Sequence, residues 1–379
     1  MDRSERVAVV GAGLGGLTVA GFLQRVGFTV RVFEQAPAFS RIGAGIILSA
    51  NSTKVLRRLG LEDRLIAAGI KSQQYISRAW DSGATMYEII FDAASERHYG
   101  GPYVHIHRGD LHNVLEHGVA PSTIAFDHQL VGLDETRDAV RLTFANGTTT
   151  GADIVIGADG IRSKVREFLI DAQPPRFSRA AAYRAIFPAS RLNGVAIPDC
   201  TKWWGRDRHC LPYYLTGRRD EVYAIGVVPV CHWEGDEASV PTTREQYLAS
   251  FVGFHDDLQR VLQAVDNVSL WPIYDRERND CWSGGRSGRL VLLGDACHPV
   301  PPYMAAGGAM AVEDAAILSR CLATFDDREQ AFATYTATRI PRVAEVQRIS
   351  LENSWMRGPT DTDWFYCYDP CTAPLGPSH

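Results

Sequence analysis

The chain has 379 residues, of which 45% are hydrophobic and 22% charged, as is typical of a globular protein with a large core and room for two domains. Its net charge of -5 gives no basic footprint, which argues against nucleic acid and anionic membranes as partners. No apolar run reaches the roughly 18 to 20 residues of a transmembrane span, and no signal-peptide pattern precedes the first predicted strand. We therefore expect a cytoplasmic protein.

The eight cysteines all lie in the C-terminal half, and none of them forms a CxxC pair. Cys367 and Cys371 have no second ligand pair nearby, as a zinc site would require. We expect reduced thiols and no metal site.

A glycine-rich turn follows the first predicted strand, at residues 7–10. Gly11, Gly13 and Gly16 have the GxGxxG spacing of dinucleotide-binding turns. In such turns the first glycine permits the tight turn, the second lets a pyrophosphate approach the backbone, and the third lets the following helix pack closely on the strand. This pattern predicts a nucleotide site.

The segment after these glycines completes a βαβ unit. Residues 14–26 suit a helix whose N-terminus faces the pyrophosphate, and residues 30–33 form a second strand. Glu34 ends that strand roughly 20 residues past the glycines, where a carboxylate can hold a ribose hydroxyl.

Two arginines are further candidates for the nucleotide phosphates. Arg41 precedes the glycines of Gly43-Ala44-Gly45, which allow close backbone approach to a ligand. Arg108 comes just before a helix predicted to start near Asp110, where a guanidinium can meet phosphate.

Two more buried strands return to the same sheet. Residues 152–158 end at Asp159, and residues 288–293 end near Asp295. Acidic residues in these positions lie at the carboxyl edge, where doubly wound sheets bind ligands. Gly307 and Gly308 open another helix, whose N-terminus can receive an oxygen or an anion.

Residues 174–274 differ in composition and pattern: many aromatic side chains lie in predicted alternating strands, and one helix is predicted near residues 247–265. This region and the strands predicted between residues 75 and 104 indicate an antiparallel sheet that covers a substrate. Aromatic and polar side chains gather around one hairpin there, namely Trp203, Trp204, His209, Tyr213 and Tyr214.

Three ordered motifs now stand together: VVGAGLGG with Glu34, IGADGIRSKVR at 156–166, and LLGDACHPVPPY ending at Tyr303. In these motifs the chain resembles the single-component FAD-dependent aromatic hydroxylases, the para-hydroxybenzoate hydroxylase-like family. The segments FEQAPAF, HRGDLH and KWW at residue 202 are most similar to the branch that acts on hydroxypyridine acids such as 6-hydroxynicotinate, with salicylate hydroxylases as relatives.

The resemblance implies an α/β fold in which a Rossmann-like FAD-binding domain carries an inserted, mainly antiparallel substrate domain. The FAD-binding domain would comprise residues 1–73, 106–173 and 275–379, and the substrate domain residues 74–105 and 174–274. The implied cofactor-binding residues are Gly11, Gly13, Gly15, Gly16, Glu34, Gln35, Arg41, Ile47, Arg108, Leu130, Asp159, Asp295, Gly307 and Gly308.

The implied catalytic residues are His209, Tyr213 and Tyr303, and these three with Cys200 would bind substrate. A neutral histidine can take the proton of a ring hydroxyl near neutral pH, so His209 is the candidate base and Tyr213 its relay or hydrogen-bond partner. Ile47 and Tyr303 stand where the hydroxypyridine branch has histidines, and Ala306 replaces a glutamine. These departures concern the identity of the substrate.

The implied reaction uses NADH or NADPH and O2, passes through a flavin C4a-hydroperoxide, and hydroxylates a hydroxylated aromatic or pyridine acid. Loss of CO2, the choice of nicotinamide cofactor and a homodimeric state are left open. A salicylate-type 1-hydroxylase, an NAD-dependent dehydrogenase with the same glycine pattern, and a non-catalytic flavin-binding regulator are the alternatives.

Overall fold

The computed structural model describes residues 3–41, 43–233 and 239–376. The strands are β1 Arg6–Val10, β2 Thr29–Phe33, β3 Gly45–Leu48, β4 Ile70–Lys71, β5 Gln74–Ala79, β6 Thr85–Ile90, β7 Val104–His107, β8 Ile124–Ala125, β9 Leu130–Glu135, β10 Val140–Phe144, β11 Thr149–Ala152, β12 Ile154–Gly157, β13 Arg176–Pro188, β14 Thr201–Trp204, β15 His209–Tyr214, β16 Glu221–Pro229, β17 Val240–Thr242, β18 Val268–Asp275, β19 Ser283–Gly284 and β20 Leu290–Leu292. The helices are α1 Leu14–Arg25, α2 Ala50–Arg58, α3 Glu62–Ala68, α4 Ala93–Tyr99, α5 Arg108–Glu116, α6 Lys164–Leu169, α7 Arg244–Ala249, α8 Asp256–Gln263, α9 Gly307–Thr324, α10 Arg328–Glu352 and α11 Asp363–Tyr366.

A six-stranded sheet in the order β19-β20-β12-β1-β2-β8 carries the glycine-rich turn. Its five strands from β20 to β8 are parallel, and Val10 of β1 pairs with Gly157 of β12, which pairs with Leu292 of β20. The central strands β12 and β20, and β1 after Arg6, are apolar and buried, as expected for a parallel sheet covered on both faces. This register brings the carboxyl ends of β1, β12 and β20 to one edge.

An eight-stranded sheet in the order β17-β18-β13-β16-β15-β14-β5-β6 forms the second layer. It is antiparallel except for the pairing of β14 with β5. Side chains alternate between its faces: Cys210 and Tyr214 of β15 pack with α7 and α8, whereas Tyr213 packs with the core of the first sheet. One face of this sheet therefore looks toward the nucleotide-binding unit.

Buried charges tie the long helices α9 and α10 to the rest of the chain. Arg339 donates to Glu313 at 2.6 Å and to Asp314 at 2.7 Å. Asn51 donates to the other oxygen of Glu313, and His298 lies 2.5 Å from Asp314. Because α9 begins at the site edge, this network fixes the position of its N-terminus.

The predicted mixed α/β fold, with one parallel and one antiparallel sheet, is confirmed, but three elements differ from prediction. The single helix expected over residues 247–265 is broken into α7 and α8, because Gly253 adopts a positive φ of 83° between them. Helix α4 interrupts the region expected to contain only strands. The strand expected over residues 152–158 breaks at Asp153, whose carboxylate instead accepts from Arg6.

Among the helices in the described ranges, none has the length and apolar character needed to span a bilayer.

Candidate active site

A cleft of about 600 Å³ opens at the carboxyl ends of the parallel strands. Its walls come from the turn after β1, the end of β2, the start of α5, the turn after β12, and the near side of the eight-stranded sheet. A volume in the range of about 300 to 1,000 Å³ is usual for a small-molecule site. Position and size both indicate the nucleotide site expected from the sequence.

The glycines of the first turn divide into two functions. Gly11 has a φ of +99°, and a Cβ there would lie 2.5 Å from the carbonyl oxygen of Ala158. Gly13 is the N-cap of α1 and faces open space in the cleft. Gly15 and Gly16 pack closely against Leu293 and against the carbonyl oxygen of Gly11, respectively, so the structure places them in helix packing.

Two residues just after β2 and one at the start of β9 belong to the wall of the cleft: Glu34, Gln35 and Leu130. The Glu34 carboxylate accepts hydrogen bonds from the backbone N–H groups of Ala12 and Ala36, both at 2.9 Å. This pair of bonds holds the carboxylate at the mouth of the glycine turn, where it can still meet a ribose hydroxyl.

The two candidate arginines lie in different environments. Arg108 lines the cleft, and within the described part of the chain its guanidinium forms no ion pair. Arg41 forms ion pairs with Asp110 at 3.0 Å and Glu221 at 2.5 Å, and it is not part of the cleft wall. The hydrogen bond to Glu221, and then the one to Asp110, raise the pKa of Arg41. Arg41 therefore joins α5 to β16, and its expected position beside the phosphates stays a prediction.

The two acidic residues lie at the same strand edge. Asp159 lines the cleft and accepts hydrogen bonds from Ser163 Oγ at 2.5 Å and from the N–H of Lys164 at 2.7 Å. Asp295 lies in a 3-10 turn after β20, close to Gly307 at the start of α9. Gly308 packs on Ile46 of β3, and neither Asp295 nor the two glycines of α9 is among the residues that line the cleft.

A second cavity, of about 30 Å³, lies beyond β3 and shares no lining residue with the cleft. Ile47 belongs to its wall, while Gly43 and Ala44, just before β3, belong to the cleft. One short strand therefore separates the two spaces. The cavity is lined by Ile47, Tyr75, Tyr103, Lys202, His209, Leu211, Ile225, Val227, Pro302, Tyr303, Met304, Ala305, Trp355 and Met356.

His209 and Tyr303 meet in this cavity, with ring centroids 5.8 Å apart. Burial, and then the positive charge of Lys202, lower the pKa of His209 well below its usual value. The ring is therefore neutral. Burial raises the pKa of Tyr303, which keeps its hydroxyl protonated as a donor.

Tyr213 and Cys200 lie outside the wall of this cavity. On an extended strand, the four-residue step from His209 to Tyr213 spans about 13 Å, too far for a hydrogen bond between them. Tyr213 instead packs beneath Gly45 of β3 and beside His105, at a ring distance of 4.9 Å. Cys200 is fully buried, and its backbone forms an isolated antiparallel β-bridge with that of Tyr213. The expected contact between His209 and Tyr213 is corrected accordingly.

Sequence reasoning missed Lys202, Trp355 and Met356 as lining residues. Lys202 shares the face of His209 because β14 and β15 pair Trp204 with His209, and alternation places Lys202 beside Trp204. That alternation was the available signal. Trp355 and Met356 reach the cavity only through the packing of α10, and Met356 adopts a positive φ of 58° there, as Ala305 does at 54°.

The cleft geometry defines a dinucleotide-binding fold with a small cavity beside the cleft. FAD fits these residues: an open glycine faces a helix N-terminus, an unpaired arginine faces the cleft, and a fixed carboxylate stands at the end of the second strand.

Comparison with known proteins supports the assignment of FAD to this cleft. A family model described as an FAD binding domain matches residues 4–350. The chain is 43% identical to the 6-hydroxynicotinate 3-monooxygenase of Bordetella bronchiseptica over 378 residues, covering 99% of this chain and 98% of the relative. It is 39% identical to the 3-amino-4-hydroxybenzoate 2-monooxygenase of Streptomyces cremeus over 351 residues, covering 92% and 86%. A salicylate hydroxylase substrate complex shares the fold, with a TM-score of 0.82 at 23% identity, covering 98% and 97%.

The chain belongs to the family of FAD-dependent aromatic hydroxylases. It is a flavin-dependent monooxygenase with FAD as cofactor and NAD(P)H as co-substrate, and the class expected from the sequence is confirmed. This membership excludes the dehydrogenase alternative, whose only support was the shared glycine pattern.

Proposed function

We propose that this enzyme hydroxylates an aromatic or pyridine carboxylic acid that already carries a ring hydroxyl, with 6-hydroxynicotinate as the first candidate. The observation that carries the proposal is the cavity beside the cofactor cleft, in which a neutral, buried histidine lies against a tyrosine ring. The two similar relatives named above act on a hydroxypyridine acid and on a hydroxybenzoate, as their names say, and both substrates fit this description.

The roles follow from the positions of the side chains. The chemistry that bound FAD supplies is reduction by NAD(P)H and activation of O2 for transfer to the ring. The cleft wall binds and orients this cofactor through Arg108, Gly13, Glu34, Gln35, Leu130 and Asp159. Asp295, Gly307 and Gly308 hold it at the end nearer the second cavity, and Ile47 stands between the two spaces.

On the substrate side, His209 accepts the proton of the ring hydroxyl, which raises the electron density of the ring for oxygen transfer. Tyr303 donates to a substrate oxygen and fixes the ring in its plane. The apolar wall excludes water from the reacting atoms. Tyr213 and Cys200 support β3 and β15 from behind and act as positioning residues.

We also propose the division of labour between domains. Residues 1–73, 106–173 and 275–379 bind FAD, and residues 74–105 and 174–274 form the substrate domain. The division is supported by the sheets, because β5, β6 and β13 to β18 form the eight-stranded sheet. A homodimer remains a prediction; light scattering of the purified protein measures it.

The test is a substrate panel on purified protein loaded with FAD. Hydroxynicotinates, salicylates and hydroxypicolinates are compared for stimulation of NADH and NADPH oxidation, O2 uptake and product mass. We expect one hydroxylated acid to give product in equal amount to the NAD(P)H consumed, with an ¹⁸O label from ¹⁸O2. Protein that binds FAD but forms product from no ring acid of the panel contradicts the proposed substrate class.

A further inference from the structure

The second cavity contains a buried cation without a counter-ion. Lys202 is 3% exposed, and its Nζ donates to the backbone carbonyl of Tyr303 at 3.0 Å. Within the described part of the chain, no carboxylate lies within the 4.0 Å of an ion pair from this Nζ. An ammonium has three N–H donors, so two of them are left for a ligand.

A second positive charge stands nearby. The Lys202 Nζ lies 3.7 Å from the ring centroid of Trp204, and the guanidinium of Arg357 lies 5.6 Å from the same ring. Arg357 is exposed, whereas Lys202 is buried, and the indole only partly compensates a buried charge that has no opposite charge. This end of the cavity is therefore strongly suited to an anion.

The rest of the cavity is uncharged. His209 is neutral, and Ile47, Leu211 and Ile225 form an apolar wall. A flat ring with one anionic substituent matches this distribution: the substituent lies at the cationic end and the ring against the apolar wall.

We propose that Lys202 binds the carboxylate of the substrate and thereby sets the ring hydroxyl against His209. This inference rests on the proposed function, since it assigns the group that recognises the acid. It also explains how a pocket with Ile47 and Tyr303 in place of histidines can still select an acid.

Binding of the carboxylate has a second effect, on the base. The positive charge of Lys202 contributes to the lowered pKa of His209. A carboxylate paired with Lys202 offsets that charge and raises the proton affinity of His209 when the acid is bound. An uncharged analogue leaves His209 a poor base.

The groups around Lys202 set how its own charge depends on pH. Burial, and to a lesser extent Arg357, lower the pKa of Lys202 to about 7, while Cys200 opposes this shift. His209 is neutral, and the buried phenols of Tyr75 and Tyr103 have raised pKa values. Lys202 is therefore the group of this cavity that changes charge between pH 6 and 9, and it loses its positive charge as the pH rises.

The test measures binding through the absorbance change of enzyme-bound FAD, without turnover. Wild type, Lys202→Met and Lys202→Arg are titrated with 6-hydroxynicotinate and with its neutral amide, 6-hydroxynicotinamide. We expect Lys202→Met to weaken binding of the acid by about 30-fold or more and of the amide by less than about 3-fold, with Lys202→Arg close to wild type for the acid. Lys71→Met, a lysine outside both cavities, is the matched control.

A pH series guards against a folding defect in the methionine variant. The acid stays ionised, so wild-type affinity should fall about tenfold per pH unit above pH 7, while Lys202→Arg should show no such fall. Equal losses for acid and amide overturn the role of Lys202 and leave the proposed function standing. If wild type binds neither compound but hydroxylates another ring acid, the same comparison is made with that acid and its amide. If wild type binds no ring acid, both proposals fail.

Discussion

At the scale of single residues, two arginines near the cleft show how pairing decides what a charge can do. Arg41 is held by two carboxylates and is not part of the cleft wall, whereas Arg108 has no ion-pair partner in the described ranges and lines the cleft. A guanidinium with free donors is the one that can bind phosphate.

We expect Arg108→Ala to weaken FAD binding by about 10-fold or more, because a charge-assisted hydrogen bond contributes about 1.5–3 kcal/mol. Arg41→Ala serves as the matched control and should change the Kd by less than about 3-fold. Titration of apoprotein with FAD, followed by flavin fluorescence, measures both. An equal loss in the two variants would show that Arg41 also contacts the cofactor.

His209 is the residue whose loss should separate chemistry from cofactor binding. We expect His209→Ala to lower kcat by about 10²-fold or more, the usual contribution of a general base, with FAD content unchanged. Steady-state kinetics and the flavin-to-protein absorbance ratio provide the two readouts. His232→Ala, at an exposed position, is the control. Loss of FAD together with activity would assign His209 a structural role instead.

At the scale of elements, the turn between β1 and α1 contains two glycines with opposite requirements. Gly11 has positive φ and no room for a side chain, whereas Gly13 has a φ of -71° and open space around it. The first serves the fold and the second serves the ligand.

We expect Gly11→Ala to lower the free energy of unfolding of the apoprotein by about 2–5 kcal/mol, through strain and overlap with Ala158. Gly13→Ala should leave apoprotein stability within about 0.5 kcal/mol but weaken FAD binding by about 10-fold, because its methyl group occupies the pyrophosphate approach. Urea unfolding and FAD titration distinguish the two. A Gly13→Ala variant with normal FAD affinity would remove the pyrophosphate from this turn.

The buried charge network between α9 and α10 makes a different prediction. Removing Arg339 leaves Glu313 and Asp314 buried without their partner, so Arg339→Met should cost about 3–5 kcal/mol of stability in urea unfolding. On the same helix, Arg348→Ala breaks only exposed ion pairs with Glu345 and Glu352 and should change stability little. Similar effects of the two variants would contradict this account.

Local elements could be predicted from the sequence where local signals decide them. The limits of β1, α1 and β2 lie within one residue of those predicted, because alternation, glycine spacing and helical periodicity are properties of neighbouring residues. The break between α7 and α8 was missed because Gly253 sits in an otherwise periodic stretch. The long helix α10, which contains Pro341, gave no comparable signal.

At the scale of the whole molecule, the cofactor site could be predicted and the substrate cavity only in part. The cofactor residues follow three strand ends that one parallel sheet must bring together. The cavity depends on contacts between distant segments, such as Lys202 with Tyr303 and Ser77 with Met356. Such contacts come from the packing of distant loop segments on the eight-stranded sheet, which sequence periodicity does not encode.

Because the cleft is built from separate pieces of chain, FAD should stabilise the entire molecule. At a free FAD concentration 100 times the Kd, binding to the folded state alone adds about 2.7 kcal/mol. Removal of FAD should therefore lower the melting temperature by several degrees, and re-addition should restore it. Differential scanning fluorimetry of apo and reloaded protein measures this. Identical melting temperatures would indicate that the cleft residues do not grip the cofactor.

Trp355 and Met356 close the small cavity from a stretch that lies beyond the last long helix and supplies nothing to the coenzyme cleft. Part of the substrate cavity is thus built by a segment of the chain that contributes no residue to the FAD cleft. We expect that replacing residues 354–357 by those of a relative changes which rings are accepted while FAD binding is retained.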